Sequence, residues 1–182
     1  MSAAERKLIV LDRDGVINAD SDDYVKSPEE WRPLPGSLDA IARLARAGFD
    51  VVVATNQSGV GRGLFSEHAL DAIHARMRAE VAAAGGAIKA IYVCPHRPED
   101  DCECRKPRPG LLERIARDFG RPLAGVPFVG DKLSDVEAAV AAGARPIFVM
   151  TPERAADVGR ARALGAEVYS SLAEAADGLL AE

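Results

Sequence analysis

The sequence predicts an α/β fold in which a parallel β-sheet carries helices on both faces. Three observations predict it. Strand-like and helix-like segments alternate along the 182 residues. The strands are unbroken apolar runs, such as Leu8-Ile9-Val10-Leu11 and Val51-Val52-Val53, as strands buried on both faces must be. Asp12, Thr55, Cys94 and Asp131 each stand at the carboxyl end of such a run, where open parallel sheets bind ligands.

The elements follow in order. Residues 7–11 form a short apolar strand stopped by Asp-Arg-Asp-Gly. Residues 15–36 are polar and carry Pro28, Pro33, Pro35 and Gly36, so they read as a long loop. Ser37 is placed to cap a helix with apolar positions Leu38, Ile41, Ala42, Leu44 and Ala45, and Gly48 ends it. A second strand spans 49–54 and a glycine-rich loop spans 55–65. Ser66 caps a helix running to Gly85, with Phe65 and Leu70 spaced as a hydrophobic staple. A third strand, 88–93, ends at Cys94, and Pro109 opens a helix through Phe119. A fourth strand (126–129), a helix (134–142) and a fifth strand (146–150) follow. The tail alternates helix, a short strand at 167–169 and a last helix. The sequence has no repeat, low-complexity stretch or linker, so one domain is expected over 1–182.

Composition narrows the function classes. The chain is 48% hydrophobic with a net charge of −5, which argues against nucleic acid as a partner. An acidic protein that handles an anion must do so with a few placed cations or a metal. The apolar run after the N-terminus is four residues, too short for a signal peptide, and no run approaches the ~20 residues of a membrane span. A cytoplasmic location without membrane contact is therefore expected. Without a conspicuous apolar stripe, so is a monomer. Three cysteines in a reducing compartment point to metal rather than disulfides.

Five segments carry residue types suited to chemistry. In Asp12-Arg13-Asp14-Gly15 the two carboxylates sit at i and i+2 of an extended chain and so face the same way. They repel unless a cation lies between them or one is protonated, which suits a divalent metal or a nucleophile paired with an acid; a plain turn is the alternative. Thr55-Asn56-Gln57-Ser58-Gly59 offers small polar groups and backbone amides for an anion, or an ordinary polar turn. Gly130-Asp131-Lys132-Leu133-Ser134-Asp135 brings Asp131 within reach of the same metal. Asp135 either braces Lys132 or a metal-bound water, or simply favours the helix dipole. Arg105 and Lys106 supply positive charge suited to a phosphate. All three cysteines lie within eleven positions, as Cys94-x-His96-x5-Cys102-x-Cys104. This set suits a closed tetrahedral zinc that holds a coreless loop, and with it Arg105 and Lys106. His68 and His74 receive no role, and Trp31 is either a structural plug or a wall of the site.

In chain order, Asp12-x-Asp14-Gly15-Val16-Ile17-Asn18, Thr55-Asn56, Lys106 and Gly130-Asp131-x-x-x-Asp135 resemble the haloacid dehalogenase (HAD) superfamily of phosphohydrolases. The stretches LDRDGVIN, YVKSPEEW, ATNQSGVGRGLF and CPH…CxCRKPRPG are similar, over about residues 7–150, to its heptose-bisphosphate phosphatases. The resemblance implies a Rossmannoid three-layer sandwich without a separate cap domain, a catalytic magnesium and a structural zinc. It implies that Asp12 is the nucleophile that takes the phosphoryl group from C7 of the sugar. Asp14 would act as acid and then base, with Thr55 and Lys106 on the phosphoryl oxygens. Magnesium would lie on Asp12, the Asp14 carbonyl and Asp131, and zinc on Cys94, His96, Cys102 and Cys104. Asp20, Tyr24, Asn56, Gln57, Ser58, Arg105 and Lys132 would contact the phosphosugar. Histidinol phosphate is the rival substrate within the class. A non-catalytic phosphosugar-binding protein is the rival outside it. The five residues between His96 and Cys102 are fewer than in some relatives, which leaves the anomer open.

Overall fold

The computed structural model describes residues 6–182, so the leader reading at residues 1–5 lies outside it. Six strands form one sheet: β1 (Lys7–Leu11), β2 (Phe49–Asn56), β3 (Ala90–Cys94), β4 (Pro127–Gly130), β5 (Arg145–Val149) and β6 (Glu167–Tyr169). Their order is β3-β2-β1-β4-β5-β6 and every neighbouring pair is parallel. The chain winds outward from β1 through β3, then returns and winds the other way from β4. The carboxyl ends of β1 and β4 therefore flank the crevice where the winding reverses. Register brings Leu11 beside both Val53 and Val129, and the amide of Asp12 donates to the Val129 carbonyl at 2.8 Å.

The helices are α1 (Ser37–Arg46), the one-turn α2 (Ser58–Gly61), α3 (Glu67–Ala83), α4 (Gly110–Asp118), α5 (Leu133–Ala141), α6 (Val158–Ala163) and α7 (Leu172–Leu180). Successive strand side chains point to opposite faces, which divides the core in two. Ile9, Leu11, Val51 and Val53 pack with Ile41 and Leu44 of α1, Ile73 and Met77 of α3, and Leu172 and Leu179 of α7. Leu8, Val10, Val52 and Phe128 pack on the other face with Leu112 and Ile115 of α4 and with Ala138 of α5. This is the expected three-layer arrangement. Phe65 and Leu70 are both buried around the Ser66 cap, whose side chain accepts from the Ala69 amide.

The structure revises several boundaries. Ser37 is the first residue of α1 rather than its cap. Gly36 takes the cap position at φ 76°, a conformation glycine adopts at little cost, and Ser37 Oγ instead donates to the Ile17 carbonyl at 2.7 Å. β2 runs on to Asn56 because Thr55 and Asn56 still pair with Val93 and Cys94. The loop after β1 is tied back on itself, the Ala19 amide donating to the Arg32 carbonyl and the Leu34 amide to that of Ile17. Trp31 closes this loop from beneath as a fully buried plug. Truncating such a side chain costs about 3–5 kcal/mol.

Candidate active site

Strand ends build the site. Asp12 follows β1, Asp131 follows β4, and Asp135 lies in the first turn of α5; all three are buried. One oxygen from each lies within 4.8 Å of the others. Like charges packed this closely out of water hold protons tightly. Burial, opposed by Lys106 and reinforced by Asp135 and Asp14, pushes the Asp12 carboxyl up to about 6. Burial, Asp12 and Asp135 push Asp131 up to about 8. Asp131 Oδ1 is buried without a hydrogen-bond partner. An orphaned carboxylate oxygen between two further carboxylates fits a hard divalent cation such as magnesium. The backbone makes room for this cluster at Gly15, where a Cβ would come within 2.3 Å of Asp131 Oδ2.

Lys106 supplies the permanent cation. Its ammonium has three protons and uses all of them: Asp135 Oδ1 at 2.6 Å, the Ala54 carbonyl at 2.9 Å and Asp12 Oδ1 at 3.0 Å. Asp12 Oδ1 also accepts the Arg13 amide at 2.8 Å, which sets the carboxylate's rotamer and leaves Oδ2 free of hydrogen bonds to the described residues. The Lys106 backbone is clamped by Asn56, whose side chain accepts from its amide and donates to its carbonyl. Asp135 thus braces Lys106 rather than the Lys132 side chain, accepting from Lys132 only at the backbone amide.

Asp14 faces the same cleft but is held quite differently. Arg13 donates to it through Nε and Nη2, Asn18 through Nδ2 at 2.8 Å, and Gln57 through Nε2 at 2.7 Å. Burial pushes its proton affinity up, but the Arg13 charge and these hydrogen bonds outweigh it and hold the carboxyl below its usual range. Two carboxylates two residues apart are therefore separated in proton affinity by their surroundings, one raised and one lowered.

The cleft encloses about 450 Å³. Asp12, Asp14, Asn56, Gln57, Ser58 and Lys106 line its floor, while Asp20, Tyr24, Arg105 and Lys132 reach its walls. Lys132 Nζ pairs with Asp20 Oδ2 at 2.9 Å, joining the loop after β1 to the start of α5. Thr55 is fully buried and its hydroxyl accepts from Gln57 at 2.9 Å, beneath the cleft rather than on its surface. The Gln57 amide is taken by the Cys94 carbonyl, so the run 55–58 offers fewer free amides than the sequence suggests.

Beside the cleft, Cys94, His96, Cys102 and Cys104 converge. Sγ of Cys102 lies 3.6 Å from that of Cys94 and 3.5 Å from that of Cys104. Nδ1 of His96 lies 3.7 Å from Cys94 and 3.2 Å from Cys104. A tetrahedron with metal–sulfur bonds of about 2.3 Å has edges of about 3.8 Å, so the four donors fit zinc. Burial pushes the Cys94 thiol up, a proton that zinc would displace. The Arg105 guanidinium donates to the His96 carbonyl, which ties the cluster to the cleft wall.

Residues 103–175 match the HAD-hydrolase-like family model. The chain is 49% identical, over 96% of its length and 98% of the relative's, to D-glycero-beta-D-manno-heptose-1,7-bisphosphate 7-phosphatase of Pseudomonas aeruginosa. The Pseudomonas putida enzyme of the same name is 57% identical over 80% of this chain and 83% of its own. The chain belongs to this phosphatase family. A crystal structure of D,D-heptose 1,7-bisphosphate phosphatase from B. bronchiseptica, complexed with magnesium and phosphate, superposes with a TM-score of 0.89 at 51% identity, covering 96% of this chain and 98% of that one.

Within this HAD-like phosphatase scaffold, residues assigned no role in the sequence analysis hold the site together. Arg13 is fully buried under Asp14, and His74 lies behind Arg13 with its Nε2 3.2 Å from Nη1. His68, on the same helix, is exposed. Arg154, after β5, lines the cleft with its Nε 3.9 Å from Asp131 Oδ2. The signal in the sequence that could have marked Arg13 is its place between two aspartates directly after a buried apolar strand, since a guanidinium drawn in there needs a carboxylate partner. Purified protein is expected to hold about one zinc per chain through dialysis, and Cys104→Ser to lose it with a lowered melting temperature. Elemental analysis checks this; zinc-free protein with an unchanged melting temperature would refute the loop's metal reading.

Proposed function

We propose that the chain removes the 7-phosphate of D-glycero-β-D-manno-heptose 1,7-bisphosphate by way of a phosphoaspartate. The observation that carries the chemistry is the Asp12 carboxylate, held by Lys106 with its other oxygen free, beside the orphaned Asp131. The observation that carries the substrate is 49% identity along 96% of the chain to a phosphatase of that name. The β anomer is taken from the relatives' names. The same relatives favour the heptose over histidinol phosphate, and Asp12 and Asp14 argue against a merely binding role.

In this reading Asp12 attacks phosphorus and the bond from phosphorus to the C7 oxygen breaks. Asp14 gives a proton to that oxygen, then takes one from the water that cleaves the phosphoaspartate, and inorganic phosphate leaves. Asp14 is ionised at rest, so a proton must reach it as the substrate binds; the phosphate monoanion carries one, its second pKa being about 6. Lys106 has no proton to spare, so what it contributes is close positive charge and a fixed Asp12 rotamer, a phosphoryl oxygen sharing the Lys106 proton that Asp12 Oδ1 accepts. Magnesium, held by Asp12, the Asp14 carbonyl and Asp131, would neutralise the phosphoryl charge. Thr55 would act from behind through Gln57. Asp20, Tyr24, Asn56, Gln57, Ser58, Arg105 and Lys132 would hold the sugar, with Arg105 on its distal part.

We read the chain, 1–182, as one catalytic domain with no separate cap, its site open and its specificity set by its own loops. We read it as a cytoplasmic monomer, because the four large exposed apolar side chains among the described residues, Leu64, Val140, Met150 and Leu180, lie on four different segments. No helix among those residues is long and apolar enough to cross a membrane.

The test is phosphate release with magnesium from both heptose anomers and from histidinol phosphate. The β anomer is expected to exceed the others by about tenfold or more in kcat/KM, and excess chelator to abolish turnover. A preference for histidinol phosphate would overturn the substrate while leaving Asp12 in place.

A further inference from the structure

We infer that His74 is a positioning residue for this reaction, acting through Arg13 on Asp14. The inference rests on the reading of Asp14 as acid and base. Asp14 sits at the edge of the cleft on a loop, and a carboxylate there has several rotamers open to it. Asn18 and Gln57 each hold one oxygen, and Arg13 grips both, its guanidinium donating through Nε and Nη2 at 2.9 to 3.1 Å. Arg13 is itself fully buried, and the plane of its fork must be set by something else. His74 does this from α3: its Nε2 lies 3.2 Å from Nη1.

The chemistry of the pair fixes its direction. A guanidinium can only donate, so Nε2 of His74 accepts and the imidazole is neutral with its proton on Nδ1. Burial, then the Arg13 charge, pushes His74 down to about 3, so a second positive charge never competes for Asp14. His74 faces Arg13, with Asp14 beyond it and Arg78 one turn further along α3; among the described residues Asp14 is the anion that acts on its ring. The line from α3 through His74 and Arg13 to Asp14 joins the helix layer to the reacting groups. It fixes the orientation of the carboxylate read here as acid and base, where a displacement of about 1 Å can cost about 10²-fold.

The experiment is a double-mutant cycle in the full chain with magnesium and heptose 1,7-bisphosphate. His74→Phe keeps the ring but removes the acceptor. It is expected to lower kcat by about tenfold or more in the parent and by less than about twofold in an Asp14→Asn background, with KM little changed in both. His74→Gln places an amide oxygen near the Nε2 position and is expected to stay within about threefold of the parent. Should His74→Phe fail to fold, His74→Asn, which is polar but too short to reach Nη1, is read in the same way. Equal losses in the two backgrounds, or a His74→Gln variant as slow as His74→Phe, would mean a structural role only and overturn the inference. An Asp14→Asn enzyme at parental speed would instead overturn the reading of Asp14, and this inference with it.

Discussion

Asp12→Asn is expected to stop turnover, with kcat reduced on the order of 10⁴-fold or more, while the melting temperature stays level or rises. The two halves of that expectation have separate causes. The amide is isosteric with the carboxylate, and its oxygen can still accept from Lys106 Nζ and the Arg13 amide, which lie 3.0 and 2.8 Å from Asp12 Oδ1. The fold therefore keeps its contacts. One negative charge is removed from a buried group of three carboxylates, which relieves the repulsion that pushes Asp12 up to about 6 and Asp131 to about 8. An amide has no charged oxygen to attack phosphorus, so no phosphoaspartate forms. Phosphate release and thermal unfolding measured on one preparation separate the effects. Turnover above about one per cent of parental would defeat the covalent mechanism, since loss of a nucleophile leaves far less than that.

Lys106→Met is expected to damage both properties at once. The ammonium lies between the buried carboxylates of Asp12 and Asp135, at 3.0 and 2.6 Å, and reaches the Ala54 carbonyl as well. Methionine fills similar volume but leaves two buried anions without their cation. Breaking a buried ion pair from one side costs about 3–5 kcal/mol, far more than the intact pair contributes over an apolar substitute. In the proposed reaction the charge that would face a phosphoryl oxygen is lost too, worth about 10²–10³-fold in kcat for comparable electrostatic groups. Lys106→Arg would not rescue this, because a planar fork cannot place three donors on three acceptors around one nitrogen. Chemical denaturation with and without magnesium reads the stability. A variant as stable as the parent in the metal-free state would show that Lys106 does not hold the acidic cluster together.

Much of this molecule was legible from local pattern. Solid apolar runs marked the strands, and the polar residues at their ends marked the crevice, because a strand buried on both faces can afford polar groups only where it leaves the sheet. The zinc set was legible because its four donors lie within eleven residues, so chain connectivity alone keeps them near one another. Where local reasoning failed, a neighbour distant in sequence had intervened. Ser37 looked like a cap and is a tether, because the Ile17 carbonyl lies over it. Thr55 looked like a surface group and lies under Gln57, because β2 continues two residues further beside β3 than its apolar run suggests.

Local sequence was enough for the parallel sheet, for Asp12, Asp14, Lys106 and Asp131 as the charged groups at its mouth, and for the three thiolates and one imidazole that could hold a metal. The tertiary structure alone decided how those charges are partnered. Asp135 could brace Lys132 or lie idle in the helix dipole, and it was the approach of Lys106 that claimed it. His74 lies 61 residues from Arg13, and Gln57 lies 43 from Asp14. Helical spacing says that His74 shares a face with Ile73 and Met77, but not what that face meets. Partner choice among buried charges depends on separations of a few ångströms between elements. Periodicity carries no information about those distances, whereas a Coulomb interaction out of water is strong enough that a change of a few ångströms decides which partner wins.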